Sequence, residues 1–141
     1  MRTVFLVLLI MASDALNAGD ATFRDAKEIL ARAQQLETTR TREAALPSPA
    51  GLSFVKLFTS PQADTNFEEL AKTAQTPAGK AYTIIGLYEL KRDRALAMLG
   101  ALPQDFRVPV MWYDLKYEWS RDEFERQVKD RRFFEALMRR E

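Results

Sequence analysis

The chain has 141 residues, 47% hydrophobic and 29% charged, which suffices for one folded domain with a real core. Lys and Arg total 21 against 20 for Asp and Glu, and the net charge of +1 lacks the basic excess of proteins that coat nucleic acid or anionic membranes. Cysteine and histidine are both absent, which excludes disulfides, thiol nucleophiles, thiolate zinc sites and Ser-His-Asp hydrolysis, and leaves only carboxylate, Lys, Tyr or Ser/Thr chemistry.

The chain opens with Arg2, then an apolar run from Val4 to Ala12 that Asp14 closes, then Leu16-Asn17-Ala18 before Gly19. A positive start, a short apolar stretch and a small residue before the cut predict a signal peptide over 1–18, cleaved near Ala18–Gly19. The apolar run is about half the ~20 residues needed to span a bilayer, so no stable membrane insertion is expected after cleavage. The predicted location is periplasmic or secreted. A cysteine-free exported protein fits a bacterial periplasm better than a disulfide-forming secretory route.

Phe23, Ala26, Ile29, Leu30, Ala33 and Leu36 recur at helical spacing, with Thr22 and Asp25 placed as a capping box, so the first helix is predicted to run to about Glu37. Residues 38–51 are polar and then punctuated by Pro and Gly, which reads as a flexible surface connection. The run 52–58 suits a strand or a buried helix, and the helical pattern of the later segments favours helix. Thr65-Asn66-Phe67-Glu68 forms a capping box for the next helix.

Gly79-Lys80 raises the question of a phosphate loop. The first Gly of that motif is missing, and Ala81 stands where the metal-ligating hydroxyl belongs. Thr76 as N-cap with Pro77 at the first helical position explains the same residues as a helix start. Gly79 and Gly86 then lie on one side of the helix with Tyr82 between them, where small residues let a neighbour approach closely. Thr76-Pro77-Ala78-Gly79-Lys80-Ala81-Tyr82, followed by Ile85-Gly86-Leu87-Tyr88, resembles a motif of small exported bacterial proteins of unassigned function. In these it begins one helix of a hairpin, as in HEAT-like repeats. The resemblance spans Phe67 to Leu99 and implies an all-helical architecture without a catalytic residue.

Asp93 is placed to cap a further helix ended by Gly100 and Pro103. Val108, Val110 and Trp112 alternate as in a strand, and Pro109 between them predicts an edge strand or an extended connection. Ser120-Arg121-Asp122-Glu123 is another capping box, and Phe124, Val128, Arg131, Phe134, Leu137 and Met138 trace one last helix. The fold class predicted for 19–141 is therefore all-α, a single domain of packed helical hairpins.

Asp114, Glu118 and Asp122 are spaced by four, which offers either an acid–base pair and cation site or a solvated acidic edge. Arg107, Trp112, Tyr113 and Tyr117 form the candidate partner-binding patch, and the alternative is that the aromatics fill the core between the last helices. The C-terminal arginines interleave with acids, which favours surface pairing over nucleic-acid binding. No cofactor or metal is predicted. The reading is a non-enzymatic binding or accessory protein of the cell envelope whose partner is another envelope protein. Two alternatives stand beside it. One is an inhibitor or immunity-type protein using Arg40, Arg42 and Glu43 as a plug, and the other is a carboxylate-dependent hydrolase.

Overall fold

The computed structural model describes residues 23–38, 40–41 and 46–139. The expected signal peptide, the Thr22 cap, Arg42 and Glu43 lie outside the described residues. Helix α1 covers residues 23–31, and Leu36–Glu37 form β1. Arg40–Thr41 (β2) pair antiparallel with Leu46–Pro47 (β3) inside the expected flexible connection. Then follow α2 (Pro49–Phe58), α3 (Ala63–Thr73), α4 (Pro77–Leu90) and α5 (Arg92–Ala101). The strands β4 (Arg107–Trp112) and β5 (Leu115–Ser120) precede α6 (Arg121–Asp130) and α7 (Arg132–Met138). The chain is mostly helical, as expected, but the all-α reading is corrected by a three-stranded sheet in the order β1-β4-β5.

The helix starts follow local chemistry. Ser48 caps α2, its Oγ accepting from the Gly51 N–H at 3.0 Å with Pro49 in the first turn, so 52–58 is helix. Thr76 Oγ1 accepts from the Gly79 N–H at 3.0 Å and donates to the Ala33 carbonyl at 2.5 Å. The Gln75 N–H donates to the Ala31 carbonyl at 2.9 Å. The start of α4 therefore satisfies carbonyls left over where α1 ends. Gly79 is required by that junction, since a Cβ there would lie 2.8 Å from the Leu30 carbonyl oxygen. The Gly-Lys pair is explained as structure.

Two expected starts are displaced. Helix α3 begins at Ala63, so Thr65 sits inside the first turn and its capping box is unused. The reason is the preceding turn, where the buried Asn66 donates from Nδ2 to Ser60 Oγ at 3.0 Å. Helix α5 begins at Arg92, which places Asp93 in the first turn, where its charge favours the helix dipole without capping.

The first helix stops at residue 31, short of the expected Glu37. Leu36 is fully buried as part of a strand, paired parallel with Val110. The Tyr82 hydroxyl locks this strand to α4. It donates to the Glu37 carbonyl at 3.0 Å and accepts from the Glu37 N–H at 2.6 Å. Burial pushes the Tyr82 pKa far above its ordinary value. Glu37 also takes a hydrogen bond from Ser48 Oγ and one from Gln35 Nε2 at 2.8 Å, so the strand also meets the cap of α2.

β4 is the central strand, not an edge, and Pro109 is compatible with it for two reasons. Trp112 and Leu115 flank the turn, so Val108, Val110 and Trp112 bond to β5 while Pro109 and Met111 face β1. The Met111 carbonyl accepts from the Thr38 N–H at 3.3 Å, but β1 reaches only to the partners of Val110 and Met111. The missing N–H of Pro109 therefore falls beyond the end of a two-residue strand.

The expected last helix is two helices. Arg131 adopts φ 61°, the left-handed conformation that ends α6. Its guanidinium forks onto Glu89 of α4, with Nε to Oε1 at 2.6 Å and Nη2 to Oε2 at 3.1 Å, and lies over the Phe134 ring. Past this corner the adjacent phenylalanines of α7 enter different aromatic groups. Phe134 meets Phe54 and Phe58 of α2, and Phe133 meets Trp112 and Trp119 of the hairpin. Helix α4, buried on nearly all sides, forms the centre of the core.

Candidate functional site

The antiparallel register sorts the hairpin side chains onto two faces. One face carries Val108, Val110 and Trp112 from β4 with Trp119, Tyr117 and Leu115 from β5. The other carries Arg107, Pro109 and Met111 with Ser120, Glu118 and Lys116. Near the base, the first face is buried through Val108, Val110 and Trp119. Towards the tip it runs past the end of the core, leaving Leu115 57% and Tyr117 46% exposed.

Of the four sequence-predicted residues, Trp112 and Tyr117 share this face, and Tyr113 stands at the turn beside them. Arg107 lies at the other end of the hairpin on the opposite face, so it does not join the patch. Trp112 is half-buried, its ring edge-to-face with Phe133 at 5.4 Å and with Trp119 at 6.2 Å. It both supports the core and borders the exposed surface. Trp119 is buried, and its ring partners are Trp112 and Phe133, whereas the ring of Phe124 meets Phe106. Leu115 is a member of the patch that sequence reasoning does not single out. The alternation of Leu115, Tyr117 and Trp119 against Lys116, Glu118 and Ser120 is the signal that would have found it.

The turn itself is strained. Tyr113 has φ 56° and Asp114 does not share a positive φ, as in a type II′ turn, where glycine normally fills the first position. A tyrosine held there costs on the order of 1 kcal/mol. The strain is held by the end of β1, where Thr38 Oγ1 accepts from the Tyr113 N–H at 3.1 Å. Residues in sparsely populated conformations that the surroundings enforce are concentrated at functional sites.

The carboxylates do not assemble. Asp114 sits in the turn, Glu118 on the outer face of β5 and Asp122 in the first turn of α6. No group of three acidic residues able to hold a metal ion occurs among the described residues. Open clefts of 430 and 420 Å³ run on either side of Arg24 and Lys27 of α1. The first is lined by Arg24 and Lys27 with uncharged residues, the second also by Glu28 and Glu69, and Lys27 is tied to Glu69. Neither brings together the groups of an acid–base site. Arg40 stands in β2, but the plug of which it was part lies mostly outside the described residues.

Comparison with protein-family models, curated proteins and solved structures gives no match to this chain. No helix among the described residues is long and apolar enough to cross a membrane.

Proposed function

We propose that the protein is a non-enzymatic binding or accessory protein of the bacterial cell envelope, acting through the tip of the β4–β5 hairpin. The observation that carries this reading is the conjunction at that tip. A tyrosine occupies a strained position suited to glycine, beside an exposed apolar face of Leu115 and Tyr117 that the core leaves uncovered. Aromatic side chains of that kind anchor protein–protein interfaces. The partner is a second envelope protein, and export is inferred from the Arg2-to-Gly19 segment.

Tyr113→Gly separates recognition from folding. The replacement relieves the backbone at the turn but frees the unfolded chain, so stability is expected to stay level or rise by up to about 1 kcal/mol. Capture of a partner from envelope extracts is expected with the wild type and lost with Tyr113→Gly. Equal capture by both proteins, measured beside their thermal midpoints, removes the hairpin tip from consideration. For localisation, a fusion of residues 1–20 to a reporter active only outside the cytoplasm is expected to give signal. Full-length protein retained in the cytoplasm with Met1 in place contradicts export.

A further inference from the structure

In the order β1-β4-β5, the outer side of β5 has no neighbouring strand among the described residues. The register decides which groups that side presents. Leu115, Tyr117 and Trp119 direct their backbone groups to β4, so the N–H and C=O of Lys116 and Glu118 point outward. No backbone group from a turn, loop or cap of the described residues bonds to them. Both side chains are exposed, and among the described residues neither forms an ion pair. Natural edges often carry charges to deter strand addition. Here the two charges are of opposite sign and two residues apart on one face, which deters most registers and permits one.

We infer that β5 pairs antiparallel with β5 of a second copy about a two-fold axis through Tyr117. Outward-facing groups bond only to outward-facing groups, which limits the choice of register. Lys116 against the partner's Lys116, or Glu118 against the partner's Glu118, sets like charges directly opposite and is disfavoured. Lys116 against the partner's Glu118 matches the hydrogen-bonding groups and forms the charge pair twice, as isologous symmetry requires. On the other face the same register sets Tyr117 beside the partner's Tyr117, and Leu115 opposite the partner's Trp119. The two most exposed large apolar residues of the hairpin are thereby covered in part. The overlap runs from Leu115 to Trp119 and stops before α6, so the helix does not obstruct it. The sheets of the two copies become continuous. This pairing does not depend on the hairpin binding another protein, and purified chain alone tests it.

Sedimentation velocity over a micromolar-to-millimolar series reads the outcome. The wild type is expected to shift from monomer towards dimer as concentration rises. Lys116→Glu and Glu118→Lys each convert both charge pairs to like-charge contacts and are expected to weaken the dimer by about tenfold or more. The double exchange Lys116→Glu/Glu118→Lys restores opposite charges in the same register and is expected to recover the wild-type association. Both positions are exposed, so circular dichroism is expected to stay unchanged; the milder Lys116→Gln serves should a reversal disturb folding. A wild type that stays monomeric throughout overturns the inference. So does a dimer indifferent to the single reversals, or one that the double exchange fails to restore.

Discussion

Gly86→Ala is expected to destabilise the protein by about 1–3 kcal/mol, the opposite sign from an ordinary mid-helix glycine. Alanine in an exposed helix interior gains roughly 1 kcal/mol over glycine. At Gly86 the added Cβ would stand 2.2 Å from Cε1 of Phe67 and 2.5 Å from its Cδ1. Phe67 is fully buried, with its ring edge-to-face against Phe54 at 5.4 Å and Phe58 at 6.3 Å, and so yields only by disturbing packed neighbours. The collision therefore exceeds the propensity gain, and Gly86→Leu is expected to be worse again. A double-mutant cycle identifies the cause, because Phe67→Leu makes room where Gly86→Ala needs it. The pair is expected to cost less than the sum of the single changes, as residues in contact do. Additive costs, or a stabilised Gly86→Ala measured by denaturant titration, would rule out close α3–α4 packing at this point.

Trp119→Ala is expected to cost about 3–5 kcal/mol, a large share of the stability of an ordinary domain. Its ring is 5% exposed and meets Phe133 at 5.7 Å and Trp112 at 6.2 Å, both edge-to-face. Removing it opens a cavity between hairpin and α7 and deprives two neighbouring rings of a partner. Trp112→Ala removes a half-buried ring from the rim of the same group and is expected to cost roughly half as much. The thermal midpoints of the two variants give the order. A Trp112 variant that melts below the Trp119 variant would place the weight of the cluster at the rim rather than inside.

What could be read from the sequence was local. Thr76-Pro77 and the Ser120 box identify their own helix starts because the capping oxygen and the N–H it satisfies are three residues apart. Gly86 could be read as a close approach because a mid-helix glycine needs such a reason. Thr65 carries an equally good local signal, yet the Ser60–Asn66 contact begins the helix earlier and leaves that signal unused. β1 carries too few residues for any periodicity, and its pairing depends on Val110, far away in the chain. The break at Arg131 was hidden because arginine lacks the turn signature of glycine or asparagine. What holds it there is Glu89, contributed by a different helix. In the candidate patch, the aromatics were visible one by one. Only the pairing register shows that Arg107 departs from them and Leu115 joins.

The partners of β1 lie far from it in the chain, which bears on the order in which the fold assembles. Helices α3 to α5 and the β4–β5 hairpin form from neighbours in sequence, whereas β1 joins partners across separations of 45 residues at Tyr82 and 75 at Tyr113. Lengthening a closed loop over that range raises its entropic cost by only about 0.5 kcal/mol, so distance adds little to the equilibrium. Rates respond differently, because contacts far apart in sequence wait for the chain between them to collapse. The segment that fixes Tyr113 in its strained turn is thus the one whose docking requires most of the molecule to be in place. Until Thr38 arrives, the hairpin tip is free to adopt other turns, and the proposed recognition surface takes its shape only with the completed fold.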